Sequence, residues 1–523
     1  MLRKIRTTLA AAFWLLITWL LVDFTGVAHT YLGWMARVQF MPAVLALNVG
    51  ALLFILALTL LLGRIYCSII CPLGVMQDAI ARLRRKRNKY HYSPARNTLR
   101  LTFLLLAGVA LVANMGWVAG LVMPYSTYGR IVGTLVAPLY KLANNGLAAL
   151  AEHYGNYAFY GVDVWLKSLP ALLISLLALL VISVMAWRGG RTWCNTVCPV
   201  GTLLGLISRH SLHGPVIDAG RCNECGLCAR NCKSACIDPK SHQVDMSRCV
   251  MCGDCMDVCR RKAIRLGHHL GFPSREEPQD TPAKATSSTG GKAQDSHDQG
   301  RRAMLTSAAL LASTALLHAE DKTTDGGLAT IVAKQKPQRQ TLITPPGSLS
   351  IRHLRTHCTA CQLCIDSCPN DVLRPSGSLD RLMQPEVSYE RGYCRPECNR
   401  CSQVCPTGAI QPVTIEERTA TQVGHAVWTR DLCVPVRDGK TCGLCARKCP
   451  AQAIQMVPLQ QGMHQEGGRW LDSDNQEVPR EKALLIPVVN EEKCIGCGAC
   501  ENLCPSRPLS AIHVEGHEVH REI

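Results

Sequence analysis

Cysteine is the residue type with the clearest chemistry in this sequence, and most of its 29 cysteines fall into short runs of fixed spacing. Two runs between residues 222 and 259 have the form C-x2-C-x2-C-x3-C, a spacing that binds two [4Fe–4S] clusters. The tight part of each run supplies three thiolates to one cluster, and the fourth cysteine reaches across to the other. We therefore predict two ligand sets, which are Cys222, Cys225, Cys228 with Cys259, and Cys249, Cys252, Cys255 with Cys232.

One further cysteine, Cys236, follows the first of these runs, so the sequence leaves open whether Cys232 or Cys236 is the fourth ligand. Lys233 and Arg260 replace the proline that commonly follows the fourth cysteine. Zinc is the alternative metal, but zinc sites favour paired C-x2-C knuckles that are often mixed with histidine. Triple runs favour iron–sulfur clusters.

Four more cysteine runs lie between residues 358 and 504, and each ends in a Cys-Pro pair. The second of them opens with a wider C-x3-C, and the third has its first cysteine further away. They predict four more [4Fe–4S] clusters, about six in all. We expect the short apolar segments 408–413, 451–457 and 509–514 to form the small strands that cover such clusters. The predicted ligands are Cys358, Cys361, Cys364, Cys368, Cys394, Cys398, Cys401, Cys405, Cys433, Cys442, Cys445, Cys449, Cys494, Cys497, Cys500 and Cys504.

The last four cysteines belong to an internal repeat. GRIYCSIICPLG begins at Gly63 and GRTWCNTVCPVG begins at Gly190, so Gly, Arg, both cysteines, Pro and the final Gly recur in register. Converging repeats would form one shared metal site, and four thiolates suit an iron–sulfur cluster. The alternatives are a pair of dithiols or two structural turns. The cysteines concerned are Cys67, Cys71, Cys194 and Cys198.

Four hydrophobic runs must position this repeat, and each approaches the roughly 20 residues that a helix needs to cross a bilayer. They are residues 7–28, 41–62, 98–122 and 164–187. Residues 82–100 hold eight Lys or Arg and no acid, and the segments around residues 3–6 and 188–191 are basic too. The positive-inside rule therefore predicts that both ends of this half are cytoplasmic.

Polar residues within or beside these runs are candidates for contact with a quinone headgroup, because ionisable groups inside a membrane are commonly functional. Asp23 and His29 lie near a predicted outer face, where contact with water is the alternative explanation. The candidates are Asp23, His29, Asn48 and Asn114.

Residues 272–300 are polar and rich in Pro, Gly, Ser and Thr, which predicts a disordered linker. The sequence GRRAMLT follows, with an uncharged stretch over residues 303–317. It resembles the twin-arginine export signal, which serves folded cargo, and it is short for a span. A buried helix and a retained fifth anchor are the alternatives.

The formal charge of +17 fits membrane topology better than nucleic-acid binding, because the densest basic cluster lies between two hydrophobic runs. The sequence contains no dinucleotide fingerprint, P-loop or CxxCH haem motif.

With these motifs in place, the chain resembles two families in series. Residues 1 to about 270 resemble the NapH family of polytopic iron–sulfur quinol dehydrogenase subunits. Residues 301–523 resemble the NapG/MauM family of exported four-cluster ferredoxins. The resemblance implies electron transfer from membrane quinol to a periplasmic oxidoreductase such as nitrate reductase. It also implies that the first of the last four runs pairs with the fourth, and the second with the third.

We therefore predict a four-span α-helical membrane domain in two pseudo-repeats, with a fifth span if the signal is retained, plus α+β ferredoxin-like [4Fe–4S] domains. The partners would be the membrane, the quinone pool and a periplasmic redox protein, with no nucleic acid, and the location would be the inner (cytoplasmic) membrane. The proton acceptor at the quinone and the direction of flow stay open. The predicted divisions are 1–210 (membrane domain), 211–271 (cytoplasmic two-cluster ferredoxin), 272–300 (linker), 301–319 (signal or anchor), 320–349 (linker) and 350–523 (periplasmic four-cluster ferredoxin).

Two rival hypotheses fit the same motifs. In the first, both cysteine arrays are cytoplasmic and exchange electrons with soluble ferredoxin. In the second, the protein is a redox assembly or regulatory factor that supplies electrons for the maturation of another metalloenzyme.

Overall fold

The structure, a computed structural model, consists of a helical domain and small cysteine-bearing modules. We call residues 213–268 module A, residues 350–413 module B and residues 421–522 module C. The predicted linker 272–300 and signal 301–319 lie outside the described residues. The described residues are 2–84, 90–268, 332–460, 463–466, 469–471, 476–479 and 483–523.

The helical domain is built from apolar helices joined by short turns. Two of its helices are long and apolar enough to cross a membrane, namely Arg3–Val22 and Leu169–Gly189. Its helices are α1 (Leu2–Val22), α2 (Val27–Arg37), α3 (Phe40–Leu45), α4 (Val49–Leu62), α5 (Tyr66–Ile69), α6 (Pro72–Leu83), α7 (Asn97–Val112), α8 (Gly116–Val122), α9 (Pro124–Ile131), the π-helical turn Val132–Val136, α10 (Ala137–His153), α11 (Leu169–Gly189), α12 (Thr192–Thr196) and α13 (Pro199–Ser208).

The second and third predicted spans are each divided into two helices. α3 and α4 are separated at Leu47, which has a φ of +51°, and α7 and α8 are separated at Asn114, which has a φ of +59°. A left-handed residue ends a right-handed helix because it turns the next amide out of line. Length alone therefore does not confirm four spans, because α4 and α7 are shorter apolar helices.

The long helices have one end at module A and the other at module B. At the start of α1, Arg3 Nε lies 3.1 Å from Asp254 of module A, and just after its end Arg400 of module B donates to Phe24 O at 3.1 Å. Before α11, Lys167 pairs with Asp366 of module B at 3.1 Å, and after it Arg191 N donates to Lys233 O of module A at 2.9 Å.

The shorter helix α7 follows the same rule. Arg100 donates to Ser247 O of module A at 3.1 Å, while Thr356 of module B donates to Asn114 at 2.9 Å. Modules A and B therefore lie at opposite ends of the helical domain. At 1.5 Å per residue, α1 and α11 each separate them by about 31 Å.

One buried apolar core runs between these two ends. It contains Tyr66, Cys71 and Tyr125, and it is contacted by Cys252 of module A and Cys361 of module B.

Module A begins and ends with strands that pair with each other. β1 pairs antiparallel with β4 from His213↔His268 to Ile217↔Ile264, and β2 pairs with β3 between the two cysteine runs. Its elements are β1 (His213–Ile217), α14 (Leu227–Asn231), β2 (Ile237–Asp238), β3 (Gln243–Val244), α15 (Asp254–Val258) and β4 (Ile264–His268).

Module B contains an inner strand pair, β5 with β6. The predicted strand over residues 408–413 is absent, because that segment forms bends and extended chain. Its elements are α16 (Ile351–His357), α17 (Leu363–Asp366), β5 (Leu373–Pro375), the 3-10 turn Leu379–Arg381, β6 (Pro385–Val387) and α18 (Arg400–Val404), followed by α19 (Ile415–Ala420).

Module C repeats the topology of module A, with β7 paired to β13 outside and β8 paired to β12 inside. β8 and β13 overlap the other two predicted strands. Its elements are β7 (Thr421–Trp428), the 3-10 turn Arg430–Leu432, α20 (Val434–Arg437), α21 (Leu444–Arg447), β8 (Ile454–Pro458), an inserted sheet of β9 (His464–Glu466), β10 (Arg469–Leu471) and β11 (Glu477–Val478), β12 (Leu485–Val489), the 3-10 turn Glu491–Lys493, α22 (Ala499–Leu503) and β13 (Ile512–Glu522).

The end of the second predicted linker, residues 332–349, packs on these modules instead of hanging free. Arg339 forms an ion pair with Glu501, and Ile343 is buried.

Candidate iron–sulfur sites

The C-x2-C-x2-C loops share one backbone conformation. In each, the residues immediately before and after the second cysteine have positive φ, between +51° and +76°. Two left-handed residues curl the loop, so that its three thiols can face a common centre. The residues are Glu224 and Gly226, Met251 and Gly253, Ala360 and Gln362, and Gly496 and Gly498.

Module A brings cysteines from both runs together. One cavity is lined by Cys249, Cys252 and Cys255 of the second run and by both Cys232 and Cys236 after the first, so it contains the predicted crossed ligand set together with the alternative fourth ligand. In the other set, Cys222 and Cys225 neighbour Cys228. The addition of Cys259 to that set stays a prediction. Five thiols line the first cavity, one more than the four that ligate a [4Fe–4S] cluster.

The backbone distinguishes Cys232 from Cys236. In five of the six runs, the residue three positions after the fourth cysteine has positive φ, and Ala235 has this role when Cys232 is the fourth. The next residue is then a buried core position, 2% exposed or less, and Cys236 occupies it. The equivalent buried residues are Ala263, Val372, Ala409 and Ala453. Both thiols line the cavity, so it is the backbone position that favours Cys232 as the ligand and Cys236 as a core residue.

Substitutions at these two positions test the assignment. The Sγ atoms of Cys232 and Cys236 are 3.5 Å apart, so either thiol could replace the other. Cys236→Ala should retain the wild-type iron content. Adding Cys232→Ala to that variant should remove one cluster, about four iron atoms per chain. Iron and acid-labile sulfide analysis measures both, and iron loss in Cys236→Ala alone would reverse the assignment.

The pairing of the last four runs differs from the one that the resemblance implied. Cys358, Cys361 and Cys364 of the first run neighbour Cys405 of the second run. Cys368 completes a cavity with the second run. The first run therefore pairs with the second, because they flank one hairpin, β5 and β6, within module B.

The third and fourth runs pair in the same way. Cys449 lines a cavity with Cys494, Cys497 and Cys500, and Cys504 neighbours Cys445 of the third run. The implied pairing of first with fourth and second with third is wrong, because each pair of runs is enclosed by the strands of its own module.

Backbone and side-chain N–H groups are directed at several of these sulfurs. Ala453 N lies 3.3 Å from Cys449 Sγ, Ala511 N lies 3.3 Å from Cys504 Sγ, and Arg418 lies 3.2 Å from Cys394 Sγ. Donors to sulfur stabilise thiolate over thiol and raise the reduction potential of a bound cluster.

The two C-x3-CP elements converge in the helical domain, as the repeat predicted. Burial and the neighbouring thiols of Cys194 and Cys67 raise the pKa of Cys71, and burial with the thiols of Cys194 and Cys71 raises that of Cys198. All four cysteines are at most 4% exposed. No group of three His, Cys, Asp or Glu in the described ranges is close enough to hold a single metal ion. A cluster on these thiols stays a prediction.

Two arginines connect the two repeats, because each donates a hydrogen bond to a backbone carbonyl of the other repeat. Arg64 of the first element donates to Cys194 O of the second at 3.2 Å, and Arg191 of the second donates to Cys67 O of the first. Both guanidinium groups are fully buried. Burial still raises the pKa of Cys194, but Arg191 and Arg64 act against it, so the two guanidinium groups favour the thiolates that an iron–sulfur cluster needs.

Asp78 is the residue of this site that sequence reasoning missed. It is buried on α6 and contacts Arg191 at 2.8 Å, Arg6 at 3.3 Å and Lys233 at 3.4 Å. The Gly-Arg pair that recurs in both elements was the sequence signal that could have predicted this site. A repeated arginine before a buried turn needs a hydrogen-bond acceptor or a counter-ion, and Asp78 is that counter-ion for Arg191.

The four quinone candidates occupy separate places. Asn48 caps α4 by accepting from Ala51 N, and Asn114 accepts from Thr356, so both have structural partners. His29 Nδ1 lies 3.3 Å from Asp23, and His29 lines a cavity beside module B. The structure does not bring the four together.

Family models for iron–sulfur proteins match five parts of the chain. A 4Fe-4S binding domain matches residues 44–90 and 169–215, which contain the two C-x3-CP elements. A 4Fe-4S dicluster domain matches 357–409 and 440–507, and another 4Fe-4S binding domain matches 242–265. The dicluster matches divide the last four runs into the same pairs as the structure does. No solved structure matches the chain.

The similar curated proteins are ferredoxin-type proteins. The methylamine utilization ferredoxin-type protein MauM of Methylobacillus flagellatus is 30% identical over 31% of this chain and 64% of its own length. Ferredoxin-type NapF of Escherichia coli is 28% identical over 34% of this chain and 87% of its own. Ferredoxin-type NapH of Haemophilus influenzae is 29% identical over 36% and 53%. These matches and the cysteine sites support an iron–sulfur electron-transfer protein.

Proposed function

We propose that the chain is a membrane-bound quinol dehydrogenase that passes electrons from the quinone pool to a periplasmic oxidoreductase. In this proposal the helical domain spans the inner membrane, with module A in the cytoplasm and modules B and C in the periplasm. The name of one similar protein refers to methylamine utilization, and the resemblance to the NapH and NapG/MauM families implies a nitrate-reductase-like partner, which is the one we favour.

The observation that carries the proposal is the position of modules A and B at opposite ends of α1 and α11. Both helices are about 31 Å long, close to the roughly 30 Å thickness of the hydrocarbon core. Only 33% of the most apolar window of α1 and 22% of that of α11 is buried. Exposed apolar surface of this extent requires a lipid or protein neighbour.

The charge distribution supports the sidedness. Basic residues collect at the module A end, where Arg84 donates to Trp187 O and Arg188 O, as the positive-inside rule requires of a cytoplasmic face. The chain leaves module A at His268 and is next described on modules B and C. Residues 269–331, which contain the twin-arginine-like stretch, would then cross the membrane.

The buried core supports a continuous electron path. Bound [4Fe–4S] clusters would supply one-electron redox chemistry at the three modules and at the C-x3-CP site. The residues of the chain hold the ligand loops in register, exclude water and direct N–H groups at sulfur. Cys252 and Cys361 contact the core from its two ends, and Cys67, Cys71 and Cys198 lie within it.

A reporter fused after Ile523 tests the arrangement. We expect an epitope tag there to be removed by protease added to intact spheroplasts, and a tag placed after His210 to be removed only after the cells are lysed. Replacing Arg301 and Arg302 by lysine should reverse the C-terminal pattern. A cytoplasmic C-terminus in the wild type would favour the rival with both arrays inside.

Steady-state turnover tests the activity. Purified, cluster-loaded protein in lipid should oxidise a short-chain quinol with a soluble one-electron acceptor. The absence of quinol oxidation with every acceptor would favour an assembly or regulatory factor.

A further inference from the structure

A cavity of about 240 Å³ lies between the helical domain and the first cysteine loop of module B. Most ligand pockets for larger molecules measure about 300–1,000 Å³, so this one has room for a single ring. Leu139, Leu142 and Leu166 line it and are also 39–59% exposed, so its rim is continuous with the apolar outer surface.

Gln362 lines this cavity in an unusual conformation. It lies between Cys361 and Cys364 with a φ of +66°, which is unfavourable for any residue except glycine. The equivalent position is Gly226, Gly253 or Gly498 in the other C-x2-C-x2-C loops. A strained residue at a position where glycine would serve indicates that its side chain has a role.

The amide nitrogen of Gln362 has no hydrogen-bond partner among the described residues. The residue is 3% exposed, so this nitrogen is buried. The indole Nε1 of Trp165, on the cavity wall, is likewise buried without a described partner. Arg374 and Arg391 hold that indole ring from module B, with their guanidinium carbons 4.7 and 4.6 Å from its centroid.

We propose that this cavity binds the ring of a membrane quinone or quinol and that the Gln362 amide hydrogen-bonds one of its two oxygens, with Trp165 as a second donor. An amide can donate to a quinone carbonyl and, after rotation, accept from a quinol hydroxyl. The apolar rim suits a ligand with a lipid tail, and Cys361 and Cys364 place the ring beside a predicted cluster. The inference rests on the proposed function, because it names the substrate site for that activity.

The test is equilibrium binding of a short-chain benzoquinone to the full-length, cluster-loaded protein in detergent. Gln362→Gly should weaken binding roughly tenfold, the value of one net hydrogen bond. The same variant should keep its iron content and unfold at an equal or higher denaturant midpoint, because glycine relieves the left-handed strain. A purely structural role for Gln362 predicts lower stability or lost iron.

The matched control is Gln403→Ala, a glutamine that lines the second cavity at this interface, and it should bind the quinone like the wild type. Wild-type affinity in Gln362→Gly, or loss of binding in Gln403→Ala instead, would overturn the inference while leaving quinol oxidation possible. A wild-type protein that neither binds quinone nor oxidises quinol would overturn the proposed function as well.

Discussion

Replacing Asp78 by asparagine should lower the free energy of unfolding of the junction between module A and the helical domain by about 3–5 kcal/mol. Asp78 is 5% exposed and faces three buried cations, Arg6, Arg191 and Lys233. Asparagine has nearly the same shape but no charge, so these cations would lose a shared counter-ion. A buried charge left unpaired costs far more than a surface ion pair gains.

The protonation of Asp78 gives the same effect a pH dependence. Burial alone would raise the pKa of Asp78, but the charges of Arg191 and Lys233 and the hydrogen bond from Arg191 outweigh it, and the pKa lies well below its ordinary value of 3.8. A lowered folded-state pKa stabilises the fold fully above that ordinary value, and the contribution declines as the pH falls below it. The asparagine variant should lack this acid-dependent part.

The measurement is urea unfolding, followed by the visible absorbance of the module A clusters. It uses variants that keep the cysteine runs of module A and lack those of the other sites. Asp257→Asn is the matched control, because Asp257 also pairs with a basic residue, Arg3, at 3.4 Å, but its side chain is 41% exposed. The control should change stability by less than about 1 kcal/mol. Equal effects in the two variants would show that the buried network contributes no more than a surface pair.

Local spacing explains why the cysteine sites could be predicted from the sequence. Three cysteines within seven residues can meet only through a tight loop, and the structure adds the conformation that achieves it, with left-handed residues at positions such as Glu224 and Gly226. The fold class of the modules follows from the same runs. The crossed ligand set, in which Cys232 joins Cys249, could be predicted from the pseudo-symmetry of two adjacent runs alone.

Long-range contacts explain what the sequence could not provide. The pairing of the last four runs depends on which strands enclose them. The sequence near Cys405 or Cys449 contains no local feature from which this pairing could be predicted. The partners of Asp78 are 72, 113 and 155 residues away along the chain, and none has a spacing that marks it. Likewise, hydropathy predicts one continuous apolar helix over residues 98–122. In the structure, the left-handed backbone conformation of Asn114 divides this stretch into two helices.

Replacing Gly120 by valine should detach module B from the helical domain and abolish electron transfer between them. Gly116 and Gly120 lie four residues apart on α8, and Gly129 and Gly133 repeat the spacing on α9 and the π-helical turn. Residues four apart share one helix face, and glycines there let another backbone approach closely.

The contacts at these glycines are with backbone atoms and a short carboxylate of module B, which cannot move aside as a long side chain could. A Cβ at Gly116 would lie 2.8 Å from Cys358 O and one at Gly129 would lie 2.6 Å from Cys361 O. A Cβ at Gly120 would meet Thr359 O, and one at Gly133 would meet the Asp366 carboxylate. We call these four glycine contacts the seam. The seam fixes the first cysteine loop of module B against the apolar core.

Valine at position 120 must push the loop away. Overpacking commonly costs about 1–3 kcal/mol, so the affinity between the two parts should fall by about 10–100-fold. Cutting the chain at a protease site engineered between residues 269 and 331 allows the measurement, since modules B and C should then co-elute with the helical domain in the wild type and separate in Gly120→Val.

Gly108→Val on α7 is the control, because a Cβ at Gly108 meets no atom within 4 Å. It should behave like the wild type in co-elution and in reduction of modules B and C by quinol. Gly120→Val should keep its iron but lose that reduction, because its clusters are intact and only the contact is lost. Co-elution of Gly120→Val at wild-type affinity would mean that the seam does not hold the two parts together, and that the contacts of Lys167, Arg400 and α2 carry the attachment instead.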